Sequence, residues 1–398
     1  MKQQTKALLA LFASAVFVTF QIGCKPTPAV KKVEQRMHLK GYYRSLPWKQ
    51  GGRKEAMRMA LAGTTIPLAQ YTFTASKDGQ IYGGVLVGTS PFAKTLSGST
   101  INAVVVPLKV TIGSVTFDPS VPDSCDANVS ALTRFRQSPL VNDVPHLTMN
   151  GIDLGDAQFI NGVRRAEFWA TIQGSLAYQN ELNYSFVNPF ELTSDVVGAH
   201  GIAAGDGCGQ IGIVSIDWLD KALQGTVLPA LTKAGIVSQN AVVLFLFKNI
   251  VQSEADPPTM SSCCILGYHS AVGTPVQTYG TIDWETSGNI TGVSDASIAS
   301  HEIGEWMDDP IANNSTPAWG GVGQVPGCQG DLEVGDPLSG TLMPPIPMNG
   351  KAYQLQELGF FSWFFNKDTD PSLGTGGKFS SNAAFLGPAR SCPPGGTN

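Results

Sequence analysis

Short apolar runs broken by turn residues dominate the first half of the chain. Runs of this length, rich in β-branched and aromatic residues and bounded by glycine, proline or polar clusters, are typical of β-strands. Four of them follow one another: Tyr71–Thr74, Ile81–Val87, Ile101–Val110 and Val115–Phe117. We therefore expect antiparallel sheet here, within a β-rich N-terminal region that spans residues 64–195.

The second half begins with a helical pattern and a buried strand. Apolar residues recur at helical spacing over residues 215–234, although Gly225 and Pro229 interrupt a single long helix. Val242–Phe247 is continuously apolar and short, which predicts a central strand covered on both faces.

Two more strands and a helix follow this central strand. The strands are expected at Cys264–Ala271 and Thr278–Trp284. The helix is expected to open near Ser294–Asp295, because both residues are good N-caps, and to stop at Pro310. This order predicts an α+β fold in which a helix lies beside a mixed sheet, over residues 196–398.

The N-terminal segment has the pattern of an exported protein. Residues 1–23 contain Ala7–Phe20, an apolar run too short to span a bilayer but typical of a signal peptide. The run ends at Gln21–Cys24, which resembles a bacterial lipoprotein cleavage box, so lipidation of Cys24 is expected; ordinary cleavage nearby is the alternative. Residues 24–63 are basic and are interpreted as a tether, with a propeptide that covers the active site as the alternative.

Charge and composition narrow the range of partners. Hydrophobic residues make up 42% of the chain and charged residues 14%, which argues against disorder. Residues 1–58 hold 12 of the 26 Lys and Arg, so the remainder carries a formal net charge of −15. Such an acidic body offers no basic surface for phosphates, and no nucleic-acid partner is expected. We expect a bacterial cell-envelope lipoprotein, held at the membrane by its lipid, or a secreted protein. The sequence does not predict the oligomeric state.

Six cysteines remain once Cys24 is set aside. An even number in an exported chain predicts up to three disulfides. No CxxC pair occurs, which argues against a zinc knuckle. We expect the adjacent Cys263 and Cys264 to fix different loops. The disulfide candidates are Cys125, Cys208, Cys263, Cys264, Cys328 and Cys392.

The helix that ends at Pro310 carries the most specific pattern. His301 and Glu305 are four residues apart, so both side chains lie on one face, and Glu302 follows His301 directly. The motif His-Glu-Ile-Gly-Glu resembles the HExxH helix of zincin metallopeptidases, with Glu305 in place of the second histidine. The resemblance implies that His301 and Glu305 bind a metal and that Glu302 is the general base acting on a metal-activated water.

A third ligand is expected farther along the chain. Asp336 is the expected ligand, with Glu333 in the same acidic segment as the alternative. Asp308 and Asp309, at the end of the helix, are candidates for further ligands or for groups that hold a ligand in place. One divalent cation is expected, zinc above all, although carboxylate ligands also suit manganese, iron or calcium.

The strand before this helix is expected to contact the substrate. Zincins lay an edge strand across the metal cleft and hold an extended peptide by main-chain pairing. The resemblance implies this role for Ile265–Ala271. His269 is then expected to be catalytic, polarising a substrate carbonyl or the oxyanion formed from it, with Tyr268 as the alternative. An ordinary hydrogen bond at the sheet edge is the other interpretation of His269.

A second resemblance covers about residues 263–356. The HExxE motif, Pro310, Trp319, the segment Glu333–Asp336 and the closing strand Asn349–Gln356 are similar to the EXORDIUM, or phosphate-induced, family of secreted proteins and its bacterial relatives. This resemblance implies an extracellular, cell-surface role without a defined reaction. It also implies that the helix motif and Glu333–Asp336 belong to one unit.

These patterns predict an exported metal-dependent hydrolase, a zincin-like peptidase that acts on peptides or proteins. The alternative is a non-enzymatic, EXORDIUM-like surface protein with a structural metal or none. Binding or cleavage of envelope carbohydrate is a third possibility, since two catalytic carboxylates need not be close in sequence. A serine nucleophile lacks support because no GxSxG motif occurs.

Overall fold

A mixed β-sheet of eleven strands forms the centre of the protein in the computed structural model. The structure describes residues 39–48, 53–194, 200–203, 208–367, 373–390 and 392. These residues all belong to one compact unit, Arg36–Asn398. The expected signal peptide and Cys24 lie outside the described residues.

The described strands and helices are numbered in chain order. The strands are β1 (Leu39–Lys40), β2 (Tyr42–Leu46), β3 (Leu68–Thr74), β4 (Ile81–Val87), β5 (Gly98–Ile112), β6 (Val115–Phe117), β7 (Thr148–Met149), β8 (Ile152–Asp153), β9 (Gln179–Phe186), β10 (Phe190–Ser194), β11 (His200–Ala203), β12 (Gln210–Ser215), β13 (Ala241–Lys248), β14 (Ile250–Ser253), β15 (Cys263–Val272), β16 (Gln277–Trp284), β17 (Ile290–Thr291), β18 (Ser315–Val322), β19 (Val325–Asp331), β20 (Ile346–Met348) and β21 (Lys351–Tyr353). The helices are α1 (Arg53–Gly63), α2 (Ala131–Gln137), α3 (Phe159–Glu167), α4 (Ile216–Ala222), α5 (Leu228–Lys233), α6 (Ser297–Asp308) and α7 (Phe361–Phe365).

The main sheet has the strand order β10-β5-β13-β16-β15-β14-β12-β11, with β6 and β9 added to β5 and β2 added to β15. The expected antiparallel arrangement over residues 71–118 is only partly correct. Strands β3 and β4 form an antiparallel pair, as do β5 and β6. However, β5 pairs in parallel with β9, β10 and β13. The residues at its centre are buried on both faces of the sheet, which is the usual setting of parallel strands.

The expected central strand is confirmed as β13, between β5 and β16. Its side chains alternate between two hydrophobic clusters, as the period of a strand requires. One cluster, with α2, α3 and α6, receives Val242, Leu244 and Leu246; the other, with α4 and α5, receives Val243, Phe245 and Phe247. Each such side chain stabilises the fold by about 1.5–3 kcal/mol when fully buried. Helices therefore cover both faces of the sheet, and the predicted α+β fold with a helix beside a mixed sheet is confirmed.

The expected interruption of the helix over residues 215–234 takes the form of a π-helical segment. Leu223–Val227 joins α4 to α5 in this conformation, and Gly225 lies inside it. Pro229 lies in the first turn of α5, where a missing N–H is tolerated. The chain therefore stays helical through both residues.

Strands from both predicted regions, 64–195 and 196–398, share the main sheet. The segment interpreted as a tether also contributes to the fold, because β2 pairs with β15 and α1 packs through Ala56 and Ala60. Among the described residues, no helix combines the length and the apolar character needed to cross a bilayer.

The cysteines differ from the expected arrangement at one place. Cys328 and Cys392 form a disulfide. Cys263 and Cys264 are bonded to each other, so the expectation that they fix different loops is wrong. Cys125 and Cys208 carry free thiols.

Candidate metal centre

Helix α6 supplies three of the polar side chains at the centre of the molecule. It begins at Ser297, three residues after the expected opening at Ser294, and it ends just before Pro310, as predicted. All twelve of its residues are buried. Because the whole helix is enclosed, its polar residues must find partners inside the protein.

His301 and Glu305 lie on one face of α6, as their spacing predicts. His301 Nε2 is 3.1 Å from Glu305 Oε1 and 3.7 Å from Asp336 Oδ1. The other ring nitrogen, Nδ1, is 2.9 Å from Nε2 of Gln356, whose amide also donates to the carbonyl of Gly335. These contacts orient the imidazole so that Nε2 faces the carboxylates. The three residues expected to bind the metal are therefore brought together.

The two carboxylate oxygens of Glu305 face different imidazoles. Oε1 lies beside His301 and also accepts hydrogen bonds from the backbone N–H groups of Gly335 (3.1 Å) and Asp336 (3.2 Å). Oε2 is 3.7 Å from His269 Nδ1. Burial raises the pKa of Glu305, but attraction to His301 and His269 outweighs it, so the pKa lies below its ordinary value. Glu305 is thus ionised between two histidines.

His269 belongs to the same cluster, on β15. Its Nδ1 is 3.4 Å from Glu302 Oε2. The side chain is fully buried, and burial lowers its pKa to about 4, with Glu305 opposing the shift. The ring is therefore neutral near pH 7 and offers a lone pair. It does not lie at an open sheet edge, because β2 covers that side of β15.

Three more acids complete the cluster: Glu302, Glu333 and Asp336. Burial, followed by repulsion from Glu305, raises the pKa of each well above its ordinary value. Asp336 is held by the side-chain amides of Gln324 (2.5 Å) and Gln329 (3.4 Å). In the described ranges, no lysine or arginine forms an ion pair with Glu302, Glu305 or Glu333.

The cluster contains buried polar atoms without well-aligned hydrogen-bond partners among the described residues. They are both ring nitrogens of His269, Nε2 of His301 and both carboxylate oxygens of Glu302 and of Glu333. Leaving a buried polar group unpaired costs about 1–3 kcal/mol, and more when it is charged. Two groups bring their ligand atoms within 4.8 Å of one another: His269, Glu305 and Glu333, and His301, Glu302 and Glu305. Imidazole nitrogens and carboxylate oxygens together suit a divalent transition metal, so these residues fit the expected cation.

The remaining two acidic candidates have other partners. Asp308 forms an ion pair with the buried guanidinium of Arg164. The carboxylate of Asp309 accepts hydrogen bonds from the backbone N–H groups of Asn313 (2.9 Å) and Asn314 (2.8 Å). The sequence could not separate these acids from the ligands, because Arg164 comes from a distant helix.

Tyr43 is a part of this centre that the sequence reasoning missed. Its ring stacks on that of His301, with centroids 3.5 Å apart and planes at 11°. Its backbone N–H donates to Gln324 (2.8 Å), and the amide of Gln324 donates back to its carbonyl (3.0 Å). The only signal in the sequence is an aromatic pair, Tyr42 and Tyr43, inside a basic segment. Gln356 was noted only as the end of a closing strand.

Two clefts share Tyr43 as a lining residue. One, of about 450 Å³, is lined by Arg44, Gln329 and Asp336, among others. The other, of about 370 Å³, is lined by Gly41, Val293 and Gly340, among others. The segment that contains Tyr43 therefore contributes to the walls of both clefts.

Comparison with family models, with curated proteins and with solved structures finds no match for this chain.

Proposed function

We propose that this protein is an exported metal-dependent hydrolase, a zincin-like peptidase. The observation that carries the proposal is the buried group of two imidazoles and three carboxylates whose ligand atoms converge, with Asp336 Oδ1 3.7 Å from His301 Nε2. In the described part of the chain, no Lys or Arg neutralises Glu302, Glu305 or Glu333. His301, Glu305 and Asp336 would hold one divalent cation, zinc in the first instance.

Glu302 is the proposed general base. A cation at this centre would lower the pKa of a bound water toward neutrality, which supplies the nucleophile. The carboxylate of Glu302 follows His301 directly on α6 and has no well-aligned hydrogen-bond partner among the described residues, so it is available to accept a proton. Glu302 would then pass that proton to the leaving amine.

The test compares two substitutions in the zinc-loaded protein. Glu302→Gln keeps the shape of the side chain but removes the base, so peptide hydrolysis should fall by at least about 100-fold with metal content unchanged. His301→Ala should lose the metal as well as the activity. The measurements are elemental analysis and cleavage of a peptide library read by mass spectrometry.

Asp283→Asn is the matched control, since Asp283 is a buried carboxylate on β16 that is not part of the cluster. It should retain both metal and activity. Equal activity in Glu302→Gln and the unaltered protein would refute the role of Glu302. Absence of metal from the unaltered protein after supplementation would refute the proposal as a whole.

One observation favours a second candidate, a non-enzymatic EXORDIUM-like surface protein with a structural metal. All six residues of the cluster are buried, and Tyr43 lies directly over His301. A purely structural site predicts that His301→Ala lowers the melting temperature, while neither the unaltered protein nor a variant with Tyr43 removed cleaves any peptide.

A further inference from the structure

We infer that the cluster holds two divalent cations and that the carboxylate of Glu305 bridges them. The first position is the one already proposed, at His301, Glu305 and Asp336. The second is formed by His269, Glu305 and Glu333, whose ligand atoms lie within 4.8 Å of one another. The first cation is the one in the proposed function, so the inference rests on that proposal there. The second cation is argued from separate contacts.

The geometry of Glu305 supports a bridge. A bridging carboxylate presents one oxygen to each metal, and the metals of two-metal hydrolytic sites are about 3.5–4 Å apart. Glu305 Oε1 faces His301 Nε2 at 3.1 Å, and Oε2 faces His269 Nδ1 at 3.7 Å. Each carboxylate oxygen of Glu305 therefore faces a different imidazole.

The number of buried ligand groups also supports a second cation. Four carboxylates, on Glu302, Glu305, Glu333 and Asp336, lie together with two histidines, and all six residues are buried. A single cation at His301, Glu305 and Asp336 engages three of these six side chains, which leaves further ligand groups beside it.

The second position also accounts for atoms that the first leaves unused. In the described chain, both oxygens of Glu333 and both nitrogens of His269 lack well-aligned hydrogen-bond partners. The first metal position, at His301, Glu305 and Asp336, uses neither Glu333 nor His269. A cation between Glu333 and His269 would satisfy the carboxylate of Glu333 and one ring nitrogen of His269, and Glu302 remains free to accept a proton. The role expected for His269 thereby changes from contact with the substrate to metal binding.

The test is metal stoichiometry, which needs no substrate. Metal-free protein is saturated with Zn²⁺ or Mn²⁺, desalted and analysed for metal per chain. We expect two ions in the unaltered protein and in Asp283→Asn, and one ion in Glu333→Gln. Electron paramagnetic resonance of the Mn²⁺-loaded unaltered protein should show exchange coupling, and Glu333→Gln should show the spectrum of an isolated ion.

A stoichiometry of one, with an isolated-ion spectrum in the unaltered protein, would overturn the inference and leave the one-metal hydrolase intact. No bound metal would refute both. Since the unaltered protein alone decides the number of ions, the result stands even where Glu333→Gln fails to fold.

A second inference comes from the backbone rather than from the cluster. We infer that residues 39–48 occupy the groove that receives the substrate, which is an extended peptide with an aromatic side chain over His301. This inference rests on the proposed function. Strand β2 pairs in parallel with β15, the strand expected to hold a substrate, and Ser45 lies opposite His269 in the register.

The clefts define the path of such a peptide. Both clefts are lined by Tyr43, and each also includes neighbours of Tyr43 on the segment, Arg44 in one and Gly41 in the other. Main-chain pairing to a strand edge, with a pocket for one side chain, is a general mode of peptide recognition. The ring of Tyr43, stacked on His301, is the side chain in that pocket.

The test measures peptide binding in place of turnover. A fluorescein-labelled peptide with the sequence of residues 39–48 is titrated into metal-loaded protein that carries Glu302→Gln, so that it is not cleaved. Adding Tyr43→Ala should tighten binding at least about tenfold, because the internal competitor is weakened. Tyr43→Phe retains the ring and should behave like the parent.

Tyr42→Ala is the matched control, because the Tyr42 side chain lies on the other face of β2, where it packs in the cluster of α4 and α5. Trp48→Ala is a second way to loosen the segment, because the buried Trp48 packs against α1, away from the metal centre. Equal binding by the parent and by folded Tyr43→Ala and Trp48→Ala proteins would overturn the inference. Because the test measures binding, either result can be obtained even if the protein has no hydrolytic activity. Failure of this inference is therefore distinguishable from failure of the proposed function.

Discussion

Two glycines allow the close packing of the metal centre at the residue scale. A Cβ on Gly335 would overlap the imidazole of His301, and a Cβ on Gly267 would lie 2.7 Å from Glu302 Oε1. The His301 ring cannot retreat, since Tyr43 is stacked on it. The positions of His301 and Glu302 therefore depend on residues without side chains.

Gly335→Ala should consequently weaken metal binding without removing any ligand. The added methyl group displaces the ring of His301 or the segment that carries Asp336, and we expect zinc affinity to fall by at least about tenfold, which corresponds to about 1.4 kcal/mol. Competition with a chromogenic chelator measures this. Gly225→Ala, where a Cβ meets no atom within 4 Å, is the control. Unchanged affinity in Gly335→Ala would contradict the described packing.

Asp283 provides a pH-dependent test away from the metal centre. Burial, followed by repulsion from Glu285, raises its pKa well above the ordinary value. The folded state therefore keeps a proton that the unfolded state releases above about pH 4, so stability falls as pH rises through that window. Asparagine does not titrate, and Asp283→Asn should gain stability over the unaltered protein between pH 5 and pH 8. Urea unfolding at both values measures the difference; an equal offset at both would exclude a titration of Asp283.

At the scale of elements, α6 is anchored through its last residue. Asp308 pairs with Arg164 of α3, which also pairs with Glu167 (2.9 Å), and all three side chains are buried. This ion pair connects α6 to α3, which packs beside it.

Asp308→Ala should therefore destabilise the protein without affecting its metal content. Removing Asp308 deprives the buried guanidinium of Arg164 of one of its two carboxylate partners, and losing a hydrogen bond to a charged group costs about 1.5–3 kcal/mol. Denaturant unfolding and elemental analysis test the two parts of this prediction separately. Loss of metal at full stability would instead identify Asp308 as a ligand.

Cys125 and Cys208 are candidates for a third disulfide in an oxidising compartment. Burial, followed by a hydrogen bond with Cys208, raises the pKa of the Cys125 thiol to about 12, which places the two residues beside each other. We expect peptide mapping without reductant to show a Cys125–Cys208 crosslink in protein from an oxidising compartment. Cys125→Ser should then cost about 2–4 kcal/mol of stability. Alkylation of both thiols in that material would show that the bond does not form.

The elements that the sequence predicts correctly are those with local causes. The alternation within Val242–Phe247 and the stop at Pro310 are properties of the segment itself, and β13 and α6 follow from them. The HExxE spacing likewise places His301 and Glu305 on one face. By contrast, the parallel pairing of β5, the partner of Asp308 and the ring over His301 depend on residues far away along the chain. No local pattern carries that information.

At the scale of the whole molecule, metal and stability are linked. The raised pKa values of Glu302, Glu333 and Asp336 mean that the metal-free fold retains protons that the unfolded chain releases. Metal-free protein should therefore lose stability as pH rises from about 5 to 8, with the sign already given for Asp283.

Added zinc should oppose this loss, because a ligand that binds only the folded state stabilises it by about 2.7 kcal/mol at 100 times its Kd. Thermal unfolding with zinc or with EDTA, at pH 5 and pH 8, measures both effects. The gap between zinc and EDTA should widen at pH 8. A melting temperature that is independent of zinc at both values would contradict a metal enclosed by this fold.

The pairing of β2 with β15 has a consequence for the order in which the molecule assembles. Leu46 and Ser270, joined by a hydrogen bond across this pair, are 224 residues apart in the chain. Because the N-terminal end of a chain is made first, β2 has no partner in the main sheet until β15 has also been made. A cation bound at the proposed centre would therefore have to enter before Tyr43 settles over His301. Such an enclosed ion would exchange with solvent only as fast as β2 detaches.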